Sequence, residues 1–147
     1  MKWERTGTSA DSLTMLLERQ FYEVKDLDTI IAGINRLQAF AQLCDGSLRR
    51  ALTARCHFYS ARLHEREMHT NSAVLHIAQA RKLCDSAEYP YTLRRIDIID
   101  KELSNDKGDN ELRKHLDNLE YFKSIDDLPM EASVCIQIGN TEVILTF

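Results

Sequence analysis

The run His64-Glu65-Arg66-Glu67-Met68-His69 carries the residue types of a zinc-binding His-Glu-x-x-His helix, with one residue too many. Imidazoles four residues apart share a helix face, but a spacing of five turns the second by roughly 140° from the first. A regular helix therefore keeps the pair from one metal ion, and no metal is expected. No phosphate-cradling GxxxxGK(S/T) or GxGxxG loop and no GxSxG elbow occurs, which leaves the nucleotide and hydrolase readings without support. The four cysteines, Cys44, Cys56, Cys84 and Cys135, are far apart with no CxxC pair. Three of them fall on apolar helix faces, so they read as buried thiols in a reducing compartment. A pair such as Cys56 with a distant histidine is the catalytic alternative, and a buried thiol is the better reading. The expectation is not an enzyme, with no cofactor.

Charge is more informative in its distribution than in its total of -4. Basic and acidic residues number 5 and 7 in residues 1–46, 10 and 6 in 47–101, and 4 and 10 in 102–147. A basic middle thus precedes an acidic end. The overall balance and the dispersed basic positions disfavour nucleic acid, which is bound through a concentrated basic surface.

The elements that must position these groups are helical. With 147 residues, five Gly and two Pro, the chain has too little turn punctuation for an all-β sandwich, and 44% hydrophobic residues suffice for one ordinary core. Residues 1–9 are polar and are expected as a frayed lead-in, with Trp3 free to dock. Ser9 or Asp11 caps a first helix with the stripe Leu13, Leu17, Phe21 and Val24. Asp28 caps a second, carrying Ile30, Ile34, Leu37, Ala41 and Cys44, which stops at Asp45-Gly46. From Ser47 to Cys84 runs the central hairpin, its helices separated by a polar break through Thr70-Asn71-Ser72. Leu48, Leu52, Cys56, Tyr59 and Leu63 form one apolar arc of its first helix, and Ala51, Ala54, Phe58 and Ala61 another. Val74, Ile77, Ala80 and Cys84 mark its second helix, where small residues (Ala73, Ala78, Ala80) allow close approach. Pro90 suits the start of a fifth helix, with Leu93, Ile96, Ile99 and Leu103 as its stripe. That helix stops at Asn105–Gly108, and Asp109 or Asn110 begins a sixth with Leu112, Leu116, Leu119 and Phe122.

The hairpins recur. Gln42-Leu-Cys-Asp45, Lys82-Leu-Cys-Asp85 and Lys123-Ser-Ile-Asp126 close successive pairs about 40 residues apart, a period expected of a two-helix repeat. The run Pro129 to Leu145, with its Ile138-Gly139 pair, resembles the first helix of a tetratricopeptide repeat, and Ala73 matches the small residue of a second helix. The resemblance covers most of residues 10–147 and implies an all-α fold, a right-handed superhelical stack of antiparallel hairpins. The expected organisation is hairpins 10–46, 47–88 and 89–127 with a partial repeat 128–147, in one domain over 10–147. Such repeats occur in sensory and regulatory parts of bacterial signalling proteins.

In a stack of that kind the first helix of each pair shows one side to a concave groove. The polar sector of the central helix holds Arg50, Thr53, His57, Ser60 and His64, and the next first helix contributes Arg94, Asp97 and Lys101. Together they imply a mildly basic channel for another protein's acidic peptide segment or carboxyl terminus. Arg55, Arg62 and Arg66 fall between the two apolar arcs, where burial requires carboxylate partners or snorkelling; they read as ion-pair members, with Asp97, Asp100 or the acidic third hairpin as candidate partners.

The tail has two readings. Val134, Ile136 and Ile138 alternate, Gly139-Asn140 is a turn pair, and Thr141, Val143, Leu145 and Phe147 alternate again, as in a β-hairpin. Repeat register and the lack of a partner sheet favour helix. Its apolar end, Ile144–Phe147, points to self-association or to a longer protein. The leading functional expectation is a non-catalytic interaction domain. The alternative is a helical ligand-sensing regulator with an apolar pocket between hairpins, and direct DNA binding ranks third. With no secretory leader or membrane-length apolar run, a soluble cytoplasmic setting without membrane partners is expected.

Overall fold

A computed structural model describes residues 3–84, 87–103 and 109–146, and its regular elements are all helices. The elements are α1 (Thr8–Tyr22), α2 (Leu27–Gln42), α3 (Gly46–Arg66), α4 (Thr70–Leu83), α5 (Pro90–Leu103), α6 (Asp109–Ser124) and α7 (Leu128–Thr146). Among the described residues there is no strand, so the tail is helix from Leu128 to Thr146. The stop expected at residues 105–108, Asp85 of the second seam, and the side chains of the apolar end at 144–147 lie outside the described residues.

Where the sequence suggests one repeat domain, the chain divides into two compact units, Trp3–Ile99 and a second from Asp100 onward. In the first, α1 packs on α2, α2 on α3 and α3 on α4; in the second, α6 packs on α7. Three of the connecting turns are built alike. After α1, α3 and α6 the chain takes positive φ at Val24 (53°), Met68 (63°) and Asp126 (55°). The next amide then reaches back five residues: Lys25 N–H to Gln20 O at 3.0 Å, His69 to His64 at 2.7 Å and Asp127 to Phe122 at 3.0 Å. This doubly bonded closure satisfies the last carbonyls of each helix without the usual glycine.

Helix starts depart from expectation in an instructive way. The cap of α2 is Asp26, not Asp28: its side chain accepts from the Thr29 amide and hydroxyl, leaving Asp28 in the first turn. α1 begins at Thr8, ahead of Ser9, and Asp11 instead accepts from the Thr6 amide (3.0 Å) and hydroxyl (2.9 Å). Gly46 begins α3 at φ 63°, rather than merely closing α2. Gly33 allows α1 and α2 to touch, because a Cβ there would sit 2.8 Å from Gln20 Oε1 and 2.9 Å from a Leu17 methyl.

The core centres on α3. Packed by α2 on one side and α4 on the other, it buries both expected arcs from Ala51 to Leu63, with Leu48 half-buried. Elsewhere the stripes are partly rotated. Val24 (71% exposed), Val74 (46%) and Leu116 (48%) face outward, because the first lies in a turn and the other two lie off the faces that carry Ala73 and Ile77 on α4 and His115 and Phe122 on α6. Of the cysteines only Cys56 is buried; Cys44 and Cys84 are half-buried and Cys135 is exposed, its neighbour Val134 taking the inward position instead.

Residues 3–7 form no helix, yet they are held. Trp3 is buried, its ring centroid 5.1 Å from Tyr91, 5.8 Å from Phe58 and 6.2 Å from Tyr59. Glu4 accepts from the Thr92 amide at 2.9 Å, which satisfies a free donor in the first turn of α5 with a negative charge where the helix dipole favours one. Above Trp3 lie two buried guanidinium groups, Arg55 at 5.0 Å and Arg95 at 4.9 Å from the ring centre. Arg55 donates to Glu4 O (2.8 Å), Thr6 Oγ1 (3.2 Å) and Thr14 Oγ1 (3.4 Å). Arg95 pairs with Glu18 of α1 at 3.0 Å, and Arg62 approaches the same carboxylate at 3.6 Å. Glu18, then, is the carboxylate expected from Asp97, Asp100 or the third hairpin. Arg66 pairs with the neighbouring Glu67 at 3.2 Å and also donates to Lys25 O at 2.8 Å.

Candidate binding groove

α3 projects its polar sector between its two packed faces. Arg50 is exposed, and Thr53, His57, Ser60 and His64 are half-buried, at the three- and four-residue spacing that keeps them on one side of the helix. Thr53 is satisfied within the helix by the Arg49 carbonyl at 2.8 Å. Ser60 and His64, near the C-terminal end, meet residues of α2 and of the following turn to line a groove of about 290 Å³.

Most of the groove is apolar. Ile34 and Leu63 are its buried members, while Leu27 (41% exposed) and Ile31 (39%) remain half open to solvent. Asn35, Ser60, His64, Glu67 and His69 supply its polar atoms. α2 buries Ile30, Ile34, Leu37 and Ala41, which leaves Ile31 one residue off that stripe and facing outward. His69 reaches the groove because α3 ends at Arg66. The 140° argument holds only while a helix continues, and the left-handed Met68 with the His69-to-His64 amide bond folds the chain back. The two rings end 5.7 Å apart.

The histidines continue into α4. His76 lies between α3 neighbours, its ring parallel to His64 within 13° at 5.3 Å and its Nδ1 2.9 Å from Nδ1 of His57. Burial lowers the pKa of both His57 and His76, and for His76 the nearby His57 and His64 add to that. Both rings are therefore held neutral at pH values where a free imidazole begins to protonate. Among the described residues no group of three or more His, Cys, Asp or Glu is placed to hold a metal ion, and no helix is long and apolar enough to cross a membrane.

Of the residues expected to bind a partner, the groove thus gathers Ser60 and His64; Arg50, Thr53, His57, Arg94, Asp97 and Lys101 are not among its lining. Arg94 and Asp97 are half-buried on α5, and the Asp97 carboxylate holds Arg81 of α4 at 2.5 Å. Lys101, on the last turn of α5, belongs to the second unit. Sequence reasoning missed Leu27, Ile31, Glu67 and His69. The available signal was Ile31, a large β-branched residue outside the stripe of its own helix. Compared with protein-family models, curated proteins and solved structures, the chain finds no match in any of the three.

Proposed function

We propose that the chain is a non-catalytic interaction domain, a tetratricopeptide-like stack of helix pairs, whose α2–α3 groove seats an apolar side chain of a partner segment. The observation that carries this reading is the outward placement of Leu27 and Ile31 beside a rim of Ser60, His64 and His69. Half-exposed apolar walls around a small opening suit one or two anchoring side chains, and Asn35, Ser60, His64 and His69 suit an acidic group next to them, the Glu67 carboxylate at the same rim being paired with Arg66 at 3.2 Å. From there the sector Arg50, Thr53 and His57 runs on along α3 and would follow the rest of the segment. Arg94 and Asp97 stay candidate contacts on α5 in the same reading.

Support for the stack comes from the places where helices stop. Gln42, Leu83 and Ser124 end α2, α4 and α6 at the three expected seams, and the consecutive packing of α1 to α4 is what such a stack requires. Free thiols at all four cysteines suit a reducing cytoplasm.

A second reading has its own observation. The groove lies between the α1–α2 and α3–α4 hairpins, where a ligand-sensing domain would hold a small apolar molecule, and its volume is near the lower end for such sites. Selection of random peptides displayed on phage separates the two. The interaction reading expects enriched sequences that pair an apolar residue with an acidic one and that lose binding to an Ile31→Asp chain. No enrichment, or enrichment that survives Ile31→Asp, contradicts it and favours a small ligand.

A further inference from the structure

We propose that His57 of α3 and His76 of α4 form a two-imidazole site for a divalent transition-metal ion that ties the two helices together. Neither residue lines the groove, and although His57 also belongs to the sector proposed to follow a partner segment, the metal site rests on the imidazole pair and not on that reading. Its basis is the facing pair of nitrogens, Nδ1 to Nδ1 at 2.9 Å, with ring centroids 5.2 Å apart. Without an ion, that distance is a hydrogen bond in which one Nδ1 carries the proton and the other accepts it. Hydrogen-bonded nitrogens aim along the line between them, so to take an ion the donor ring moves its proton to Nε2 and both rings turn until the two Nδ1 lone pairs converge; no net proton is gained or lost.

The separation also selects among metals. Bonds of about 2.1 Å to two nitrogens 2.9 Å apart enclose an angle of about 90°, the cis angle of square-planar or octahedral coordination. Tetrahedral zinc needs the nitrogens opened to about 3.4 Å. Imidazole nitrogen in a cis arrangement suits Ni²⁺ and Cu²⁺. His64 cannot complete a three-ligand set, because its ring lies parallel to His76 rather than converging on the shared point. Water fills the remaining positions. Neutral rings are the form that ligates. Because the ligands come from two helices, an ion bound here stabilises the α3–α4 hairpin by mass action.

Ni²⁺ is the probe, since it does not oxidise the exposed Cys135 as Cu²⁺ would. Calorimetric titration of tag-free protein should give one Ni²⁺ per chain, with affinity reduced at least about tenfold in His57→Gln and in His76→Gln taken singly. Melting temperature should rise with Ni²⁺ in the wild type and not in either variant. The wild type alone provides a second readout: paramagnetic Ni²⁺ should broaden the ring resonances of His57 and His76 before those of His69 and His115. Absence of binding, binding unchanged in both variants, or broadening that begins at His69 or His115 overturns the site.

Discussion

The Glu18 carboxylate of α1 lies 3.0 Å from the Arg95 guanidinium of α5, and the same carboxylate meets Arg62 at 3.6 Å and the Tyr59 hydroxyl at 2.9 Å. Burial pushes the pKa of Glu18 up, but Arg95 and Arg62, with hydrogen bonds from Tyr59 and Arg95, outweigh it and hold the pKa below its ordinary 4.5. One acid therefore keeps two arginines of the first unit compensated. Glu18→Gln should destabilise the chain by about 2–4 kcal/mol, below the limit for a fully buried pair because Glu18 keeps 27% exposure. Arg62→Glu should lower the melting temperature as well, by setting two carboxylates against each other. An unchanged melt for either variant, followed by circular dichroism, refutes the assignment.

Trp3 covers both Arg55 and Arg95 and is 5% exposed. Trp3→Ala should cost about 3–5 kcal/mol, as expected for a buried large aromatic. Urea titration checks this, and a loss under about 1 kcal/mol would mean the segment before α1 contributes little.

How much of this was legible in the sequence differs by element. Both arcs of α3 were readable because a helix packed on two sides places large residues at Leu52, Cys56 and Tyr59 and small ones at Ala51, Ala54 and Ala61. Pro90 announced α5. Hidden were the contacts that join distant segments: Glu18 follows a helical polar pattern, and nothing local says that it will meet Arg95. Trp3 stands in a polar lead-in whose burial depends on the ring surface of Phe58 and Tyr91. The groove was hidden for a similar reason. Half of it belongs to α2, and His69 joins it only because Met68 adopts a left-handed turn that residue preferences disfavour.

Acid should destabilise the chain in two steps. His57 and His76 have folded pKa values below the ordinary 6.5, so the unfolded chain binds more protons and stability falls as pH drops from about 6.5. Glu18 has a folded pKa below 4.5, so its contribution is present above that value and is lost as pH falls through the folded pKa. Melting curves between pH 7.5 and 5 should show the first step, reduced in His57→Gln/His76→Gln. Equal stability at pH 7.5 and 5 contradicts it.

Thiol reactivity should follow burial. Cys135 is exposed and should be alkylated first by iodoacetamide, whereas burial pushes the Cys56 thiol up to about 12 and should leave it unreacted until the chain unfolds. Peptide mass spectrometry reads the order. Labelling of Cys56 at the rate of Cys135 would contradict the packing of α3.

The groove is tested most directly by affinity capture from a lysate of the source cells with three folded chains: wild type, Ile31→Asp and Leu116→Asp. Ile31 stands in the groove wall, and Leu116 is a comparably exposed apolar residue on α6. The interaction reading predicts a protein held by the wild type and by Leu116→Asp and lost from Ile31→Asp. If Ile31→Asp retains everything the wild type retains, the α2–α3 groove is not the binding surface and the reading fails.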